Sequence, residues 1–120
     1  MEQKNAKRTA EDKLLFEQIQ NTIIEQKLFL NPQFSRSEYI ALGAANRNKA
    51  AQMLREFAGT NLYGYINDMR LEYARKLMLE HPTAPLKAIS ADAGFSNIRT
   101  FYRLFLSKYG TTPTNYRKSR

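Results

Sequence analysis

The chain has 120 residues, 42% hydrophobic, 12% aromatic and 25% charged, which is the composition of one folded domain rather than a disordered tail. It has no cysteine and a single histidine, His81, which excludes disulfide frameworks, thiolate chemistry and a histidine-based metal cage, and its longest run without a charged residue, 11 residues from Phe57 to Asn67, is too short to span a membrane. The net charge of +8 is lopsided: residues 1–60 carry nine basic and seven acidic groups, residues 61–120 carry ten and four, and no acidic residue follows Asp92, a field that suits a polyanion.

Residues 1–10 are polar, show no apolar periodicity and lack a signal-peptide core, so they read as a flexible linker or a chain edge. Thr9 with Asp12 is placed to cap the helix that follows. There Leu15, Ile19 and Ile23 repeat at four-residue steps beside Phe16 and Ile24, giving about four amphipathic turns that Asn31-Pro32 would end. Ser35-Arg36-Ser37-Glu38 has the form of a capping box and opens a short helix containing Tyr39, Ile40 and Leu42, closed by Gly43. Asn46 can cap the next helix, in which Ala50, Met53, Leu54 and Phe57 form one buried stripe, with Asn48, Gln52 and Arg55 opposite.

Gly59-Thr60-Asn61 is a break followed by a cap. Leu62, Ile66, Met69, Tyr73 and Leu77 then mark a long helix ending near His81-Pro82, about 27 Å at 1.5 Å per residue. A short helix over 86–93, a turn at Gly94 and a helix over 97–108 follow, and Pro113 sits at the start of a last short helix. The expectation is an all-α fold of about seven helices: two helix-turn-helix subdomains, 11–61 and 81–120, joined by a linker helix over 62–80. The short helix, turn and longer helix of 35–57 recur at 86–108.

In a helix-turn-helix unit the second helix packs one face on the core and turns the other to base edges in the major groove. The helix over 97–108 divides that way. Phe101, Leu104 and Phe105 share a core arc, while Arg99, Tyr102, Arg103 and Leu106 share the reverse. Arg99 and Arg103, four residues apart, repel mildly unless something anionic compensates them, and arginine matches a guanine edge through paired hydrogen bonds. Asn48, Lys49, Gln52 and Arg55 tell a weaker version of the same story, since amides can read adenine and lysine can hold phosphate. The Tyr and Phe residues at helical spacing, Tyr39, Phe57, Tyr65, Tyr73, Phe101 and Phe105, read as core. No carboxylate pair is placed for acid–base work and no Ser or Thr has a neighbouring base, so an enzyme, a cofactor and a metal site are not expected.

Gly94-Phe95-Ser96-Asn97, then Thr100-Phe101-Tyr102-Arg103-Leu104-Phe105, then Tyr109-Gly110-Thr111-Thr112-Pro113-Thr114-Asn115-Tyr116-Arg117 closely resembles the signature of the AraC/XylS family of bacterial transcription regulators. The run Gly59-Thr60-Asn61-Leu62, Tyr65-Ile66-Asn67, Arg70-Leu71 and Ala74 resembles that family's linker-helix segment, and the likeness covers about residues 12–118. The resemblance implies two helix-turn-helix units bridged by one rigid helix, with both recognition helices entering successive major-groove segments of double-stranded DNA roughly 34 Å apart. By motif position it places Asn48, Lys49, Ala51 and Gln52 on bases in the first unit and Ile98, Arg99, Tyr102 and Arg103 in the second. Phosphate contacts fall to Arg47, Arg55, Asn97, Lys108 and the C-terminal basic residues.

The chain departs from the family pattern at a few places. Ala44 stands where glycine is common, with Gly43 beside it, Ile40 where a small residue is common, Ser90 where alanine is, and Gln52 where arginine is frequent. What the resemblance implies for the whole protein is a cytoplasmic, nucleoid-associated activator with RNA polymerase as a further partner. Members of the family either follow an N-terminal sensory or dimerisation domain, which the linker-like residues 1–10 favour, or stand alone at about this length. The competing reading of the residues is a basic all-α protein-interaction module that docks an acidic partner.

Overall fold

The computed structural model describes residues 2–119, and the side chains of residues 8–119. Seven α-helices follow one another: α1 (Glu2–Glu25), α2 (Arg36–Ala41), α3 (Arg47–Ala58), α4 (Leu62–Glu80), α5 (Leu86–Asp92), α6 (Ile98–Tyr109) and α7 (Pro113–Lys118), with a 3-10 turn at Leu28–Leu30. No strand occurs among the described residues, so the fold is all-α as expected. No helix among them is long and apolar enough to cross a membrane.

The first helix differs from its expectation at both ends. It starts at Glu2 rather than near residue 11, because Glu2, Gln3, Lys4, Ala6 and Lys7 are good helix formers and nothing in residues 1–10 breaks a helix. Thr9 and Asp12 therefore lie inside α1 and cap nothing. The helix stops at Glu25, before Asn31-Pro32, where Lys27 takes a left-handed φ of 53° and the chain tightens into the 3-10 turn.

The other helix ends follow their local chemistry. The Glu38 carboxylate accepts the Ser35 backbone N–H at 2.9 Å and the Ser35 hydroxyl, which lowers its pKa from the ordinary glutamate value. Asn61 accepts the Gly64 N–H at 2.9 Å at the head of α4. At α7, Thr112 accepts the Asn115 N–H at 3.1 Å and Pro113 occupies the first turn, where its missing N–H is not needed.

The chain forms two compact units, residues 1–28 with 33–65, and residues 29–32 with 66–120. In the first unit Phe16, Ile19 and Ile23 of α1 are buried with Tyr39, Met53 and Leu54. Phe16 lies 5.5 Å from the Phe57 ring and 5.7 Å from the Tyr65 ring. In the second unit Leu71, Ala74 and Met78 of α4 meet Ile89, Phe95, Phe101, Phe105 and Tyr116. The Phe105 ring centre lies 4.5 Å from that of Tyr109, tilted, and 5.5 Å from that of Tyr116, edge-on. Tilted and edge-on rings of this kind add to the burial they already supply.

Residues 29–32 are held in the second unit by Arg70. Its Nε donates to the Phe29 carbonyl at 2.7 Å, Nη2 to the Asn31 carbonyl at 2.8 Å and Nη1 to Asn67 Oδ1 at 2.9 Å. Arg70 is 9% exposed, and a buried guanidinium needs such partners to offset its lost hydration.

Candidate nucleic-acid interface

The helix-turn-helix of each unit pivots on a glycine three residues ahead of an asparagine. Gly43 has φ 144° and Gly94 has φ 96°, both in the region that favours glycine. Gly43 itself thus supplies the turn in the first unit, and Ala44, where the family favours glycine, is a buried residue at 6% exposure. Asn46 Oδ1 accepts the Lys49 N–H at 2.9 Å to start α3, and Asn97 Oδ1 accepts the Arg99 N–H at 2.7 Å to start α6. Gly59 (φ 71°) and Gly110 (φ 74°) end the same two helices in left-handed caps.

Both helices bury one stripe and expose the other. In α6, Phe101 and Phe105 are wholly buried while Arg99, Arg103 and Leu106 are exposed. Ile98 and Tyr102 are half-buried against the core, and the Tyr102 hydroxyl lies 3.2 Å from Thr114 Oγ1. Of the four residues expected on bases in this unit, the two arginines thus stand fully outward and the other two sit at the shoulder. In α3, Ala50, Met53 and Leu54 are buried, whereas Arg47, Asn48, Ala51, Gln52 and Arg55 are exposed together on the outer face.

Three of the basic residues expected at the duplex are turned toward the protein itself. Lys49, expected on a base, donates its ammonium to Asp12 Oδ2 at 2.6 Å. Asp12 is 9% exposed, and a carboxylate so far from water draws in a cation. Lys108, expected on a phosphate, lies 2.7 Å from Asp68 Oδ1 and 5.4 Å over the Tyr109 ring. Arg117, from the C-terminal basic group, is half-buried and donates Nη1 to the Ala84 carbonyl at 2.8 Å. Helical spacing assigns a side chain to a face but carries no information on partners 37 or 33 residues away.

Beside α6 lies a polar lock absent from the sequence reading. Glu72 accepts two hydrogen bonds from Arg75, at 3.0 and 3.1 Å, and one from the Tyr109 hydroxyl at 2.8 Å. These bonds, Arg75 first and Tyr109 second, hold the Glu72 carboxyl at a pKa of about 2. Burial first, then the bond to Glu72, raises the Tyr109 hydroxyl above its ordinary value. The lock fixes the last turn of α6 against α4 within the second unit.

Residues 43–119 match the model of a helix-turn-helix domain family, from the turn glycine of the first unit to the end of α7. The chain belongs to the AraC-type helix-turn-helix family. This AraC-type domain is 29% identical over 73 residues to the RCS-specific HTH-type transcriptional activator RclR of Escherichia coli (strain K12), covering 61% of the chain and 25% of RclR. It is 31% identical over 72 residues to the xylose operon regulatory protein of the same organism, covering 60% of the chain and 18% of that protein. It also matches the solved structure of a Listeria innocua protein of unknown function, with a TM-score of 0.70 and 26% identity over 85% of this chain and 96% of that one. The chain thus spans a quarter or less of each of these two curated regulators. AraC-type domains are DNA-binding modules of transcription regulators and are not enzymes.

Proposed function

We propose that this AraC-type domain reads one asymmetric duplex site with two recognition helices, α3 and α6, in successive major-groove segments. The observation that carries the reading is the shared build of the two helices: each has 12 residues, an asparagine cap, a glycine stop and a polar face left exposed. Arg99 and Arg103 read base edges in the second unit, with Ile98 and Tyr102 supplying apolar and hydroxyl contact at the shoulder. Asn48, Ala51 and Gln52 face bases in the first unit, and Arg47, Arg55 and the head of α6 at Asn97 hold phosphates. Lys49 and Lys108 reach the duplex only by exchanging their carboxylate partners for phosphate.

In the whole protein the domain follows an N-terminal sensory or dimerisation domain, acts in the cytoplasm as an activator, and meets RNA polymerase. The length of the relatives supports the further domain, and the description of RclR as an activator supports that role.

Selecting bound duplexes from a random pool tests the reading. The expected product is a site of roughly 20 bp with two dissimilar halves, bound with an affinity that falls steeply with salt. On that site Arg103→Ala costs about 1–3 kcal/mol and relaxes preference at one position. Equal losses on selected and random duplexes contradict base reading, and absence of duplex binding at low salt favours docking to an acidic protein instead.

A further inference from the structure

A cleft of about 300 Å³ opens on the first unit between α2, α3 and the start of α4. Three cations line it, Arg36, Arg47 and Arg55, and no acidic side chain does. Its walls are otherwise mostly apolar, from Ala50, Ala51, Leu54 and Leu62, with the amide of Asn61 among them and Tyr63 at the rim, 57% exposed. Tyr39 completes the wall. It is wholly buried, and its hydroxyl has no hydrogen-bond partner in the protein. Burial pushes that hydroxyl up to a pKa of about 12, so it stays a neutral donor at neutral pH. A buried hydroxyl without a partner is uncommon in a native fold.

We propose that this cleft is a binding site for a small organic anion, a compact apolar or aromatic body bearing a carboxylate or a phosphate. The volume sits at the lower end of the range for small-molecule sites, which join apolar walls to a few convergent polar groups. The three guanidiniums take the charged head and the alanine and leucine walls take the body. A duplex phosphate would need only the exposed arginines and would leave the apolar recess unfilled. This goes beyond the duplex reading and does not require it. One consequence does rest on that reading: a filled cleft and a bound duplex compete for Arg47 and Arg55.

Titration of the isotope-labelled full chain, without DNA, tests the site by following amide resonances. Phenyl phosphate and benzoate are expected to shift the amides of Ala51, Leu54 and Tyr63 saturably in the low millimolar range, about −3 to −4 kcal/mol by the affinity scale. Arg36→Gln, at an exposed position with no part in the duplex reading, should weaken both by roughly fivefold or more. The proposal falls if the shifts do not saturate, or if Arg36→Gln binds as tightly as the parent. It also falls if inorganic phosphate binds as well as phenyl phosphate, which would leave a bare phosphate contact of the duplex backbone. The competition is read by titrating selected duplex with and without phenyl phosphate at constant ionic strength. Weaker duplex binding with the anion present supports it and unchanged duplex binding overturns it, whereas no duplex binding in either arm faults the duplex reading and leaves the site standing on the amide shifts.

Discussion

Helices α3 and α6 are framed by the same devices, an asparagine ahead and a left-handed glycine behind, yet their outer faces differ. The face of α6 presents two arginines one turn apart above a core of edge-on and tilted rings. The face of α3 presents Asn48, Ala51 and Gln52, with arginines only at its ends, above a core of Met53 and Leu54. The frame is set by backbone chemistry at the helix ends, and the chemistry of the face varies without disturbing it. On the proposed duplex reading, each unit can therefore change what it reads while keeping how it folds, and the second is the better equipped to recognise guanine.

The largest expected difference between the two units lies in their turns. A Cβ on Gly94 would meet the Leu30 and Phe29 carbonyl oxygens at 2.9 Å, whereas one on Gly43 would meet Leu15 Cδ1 at 3.2 Å, the end of a side chain that can turn aside, and Ile19 at an ordinary contact distance of 3.8 Å. Gly94→Ala should cost on the order of 2–3 kcal/mol in urea denaturation, and Gly43→Ala distinctly less. Equal losses would show that backbone strain, common to both, outweighs the clash.

Next in size is base reading. Arg103→Ala should cost about 1–3 kcal/mol on the selected duplex and Gln52→Ala about 1 kcal/mol or less, measured by titration at fixed salt. The reverse order would make the first unit the stronger reader.

Lys49→Ala sharpens the contrast further. It strips the cation from buried Asp12, so thermal stability should drop by about 1–2 kcal/mol with little change in sequence preference. A loss of preference at one base pair would instead return Lys49 to the base-reading set.

The smallest effect belongs to the second unit alone. An unfolded glutamate titrates near about 4.3, and folded Glu72 near about 2. As pH falls, the unfolded chain takes up the proton first, so the stabilisation from Glu72 is complete above about 4.3 and gone once pH has passed below about 2. Glu72→Gln should flatten the thermal stability profile across that window. The Glu72 side chain is 44% exposed, so solvent and salt keep the effect small.

Much of this was readable from residues alone, and the reasons are specific. Caps act within four residues, so Asn46 and Asn61 announce the helices they start. Buried stripes repeat with the helical period, so Phe101 and Phe105 separate from Arg99 and Arg103 on a helical wheel. The extension of α1 was hidden because polarity at the start resembles a linker even where helix propensity is good. The pairing of Lys49 with Asp12, the turn of Arg117 onto Ala84 and the cleft beneath Arg36 depend on side chains brought together from distant parts of the chain, which no local pattern encodes.

The hold of Arg70 on residues 29–32 bears on how the protein can be trimmed. Those four residues come before the entire first helix-turn-helix, yet they belong to the later body. A truncation begun at Gly43, where the family match starts, would delete the Phe29 and Asn31 carbonyls and strand two arms of a guanidinium meant for them. One arginine in the middle of α4 thus ties the domain to carbonyls at residues 29–32, which lie upstream of the start of the family match.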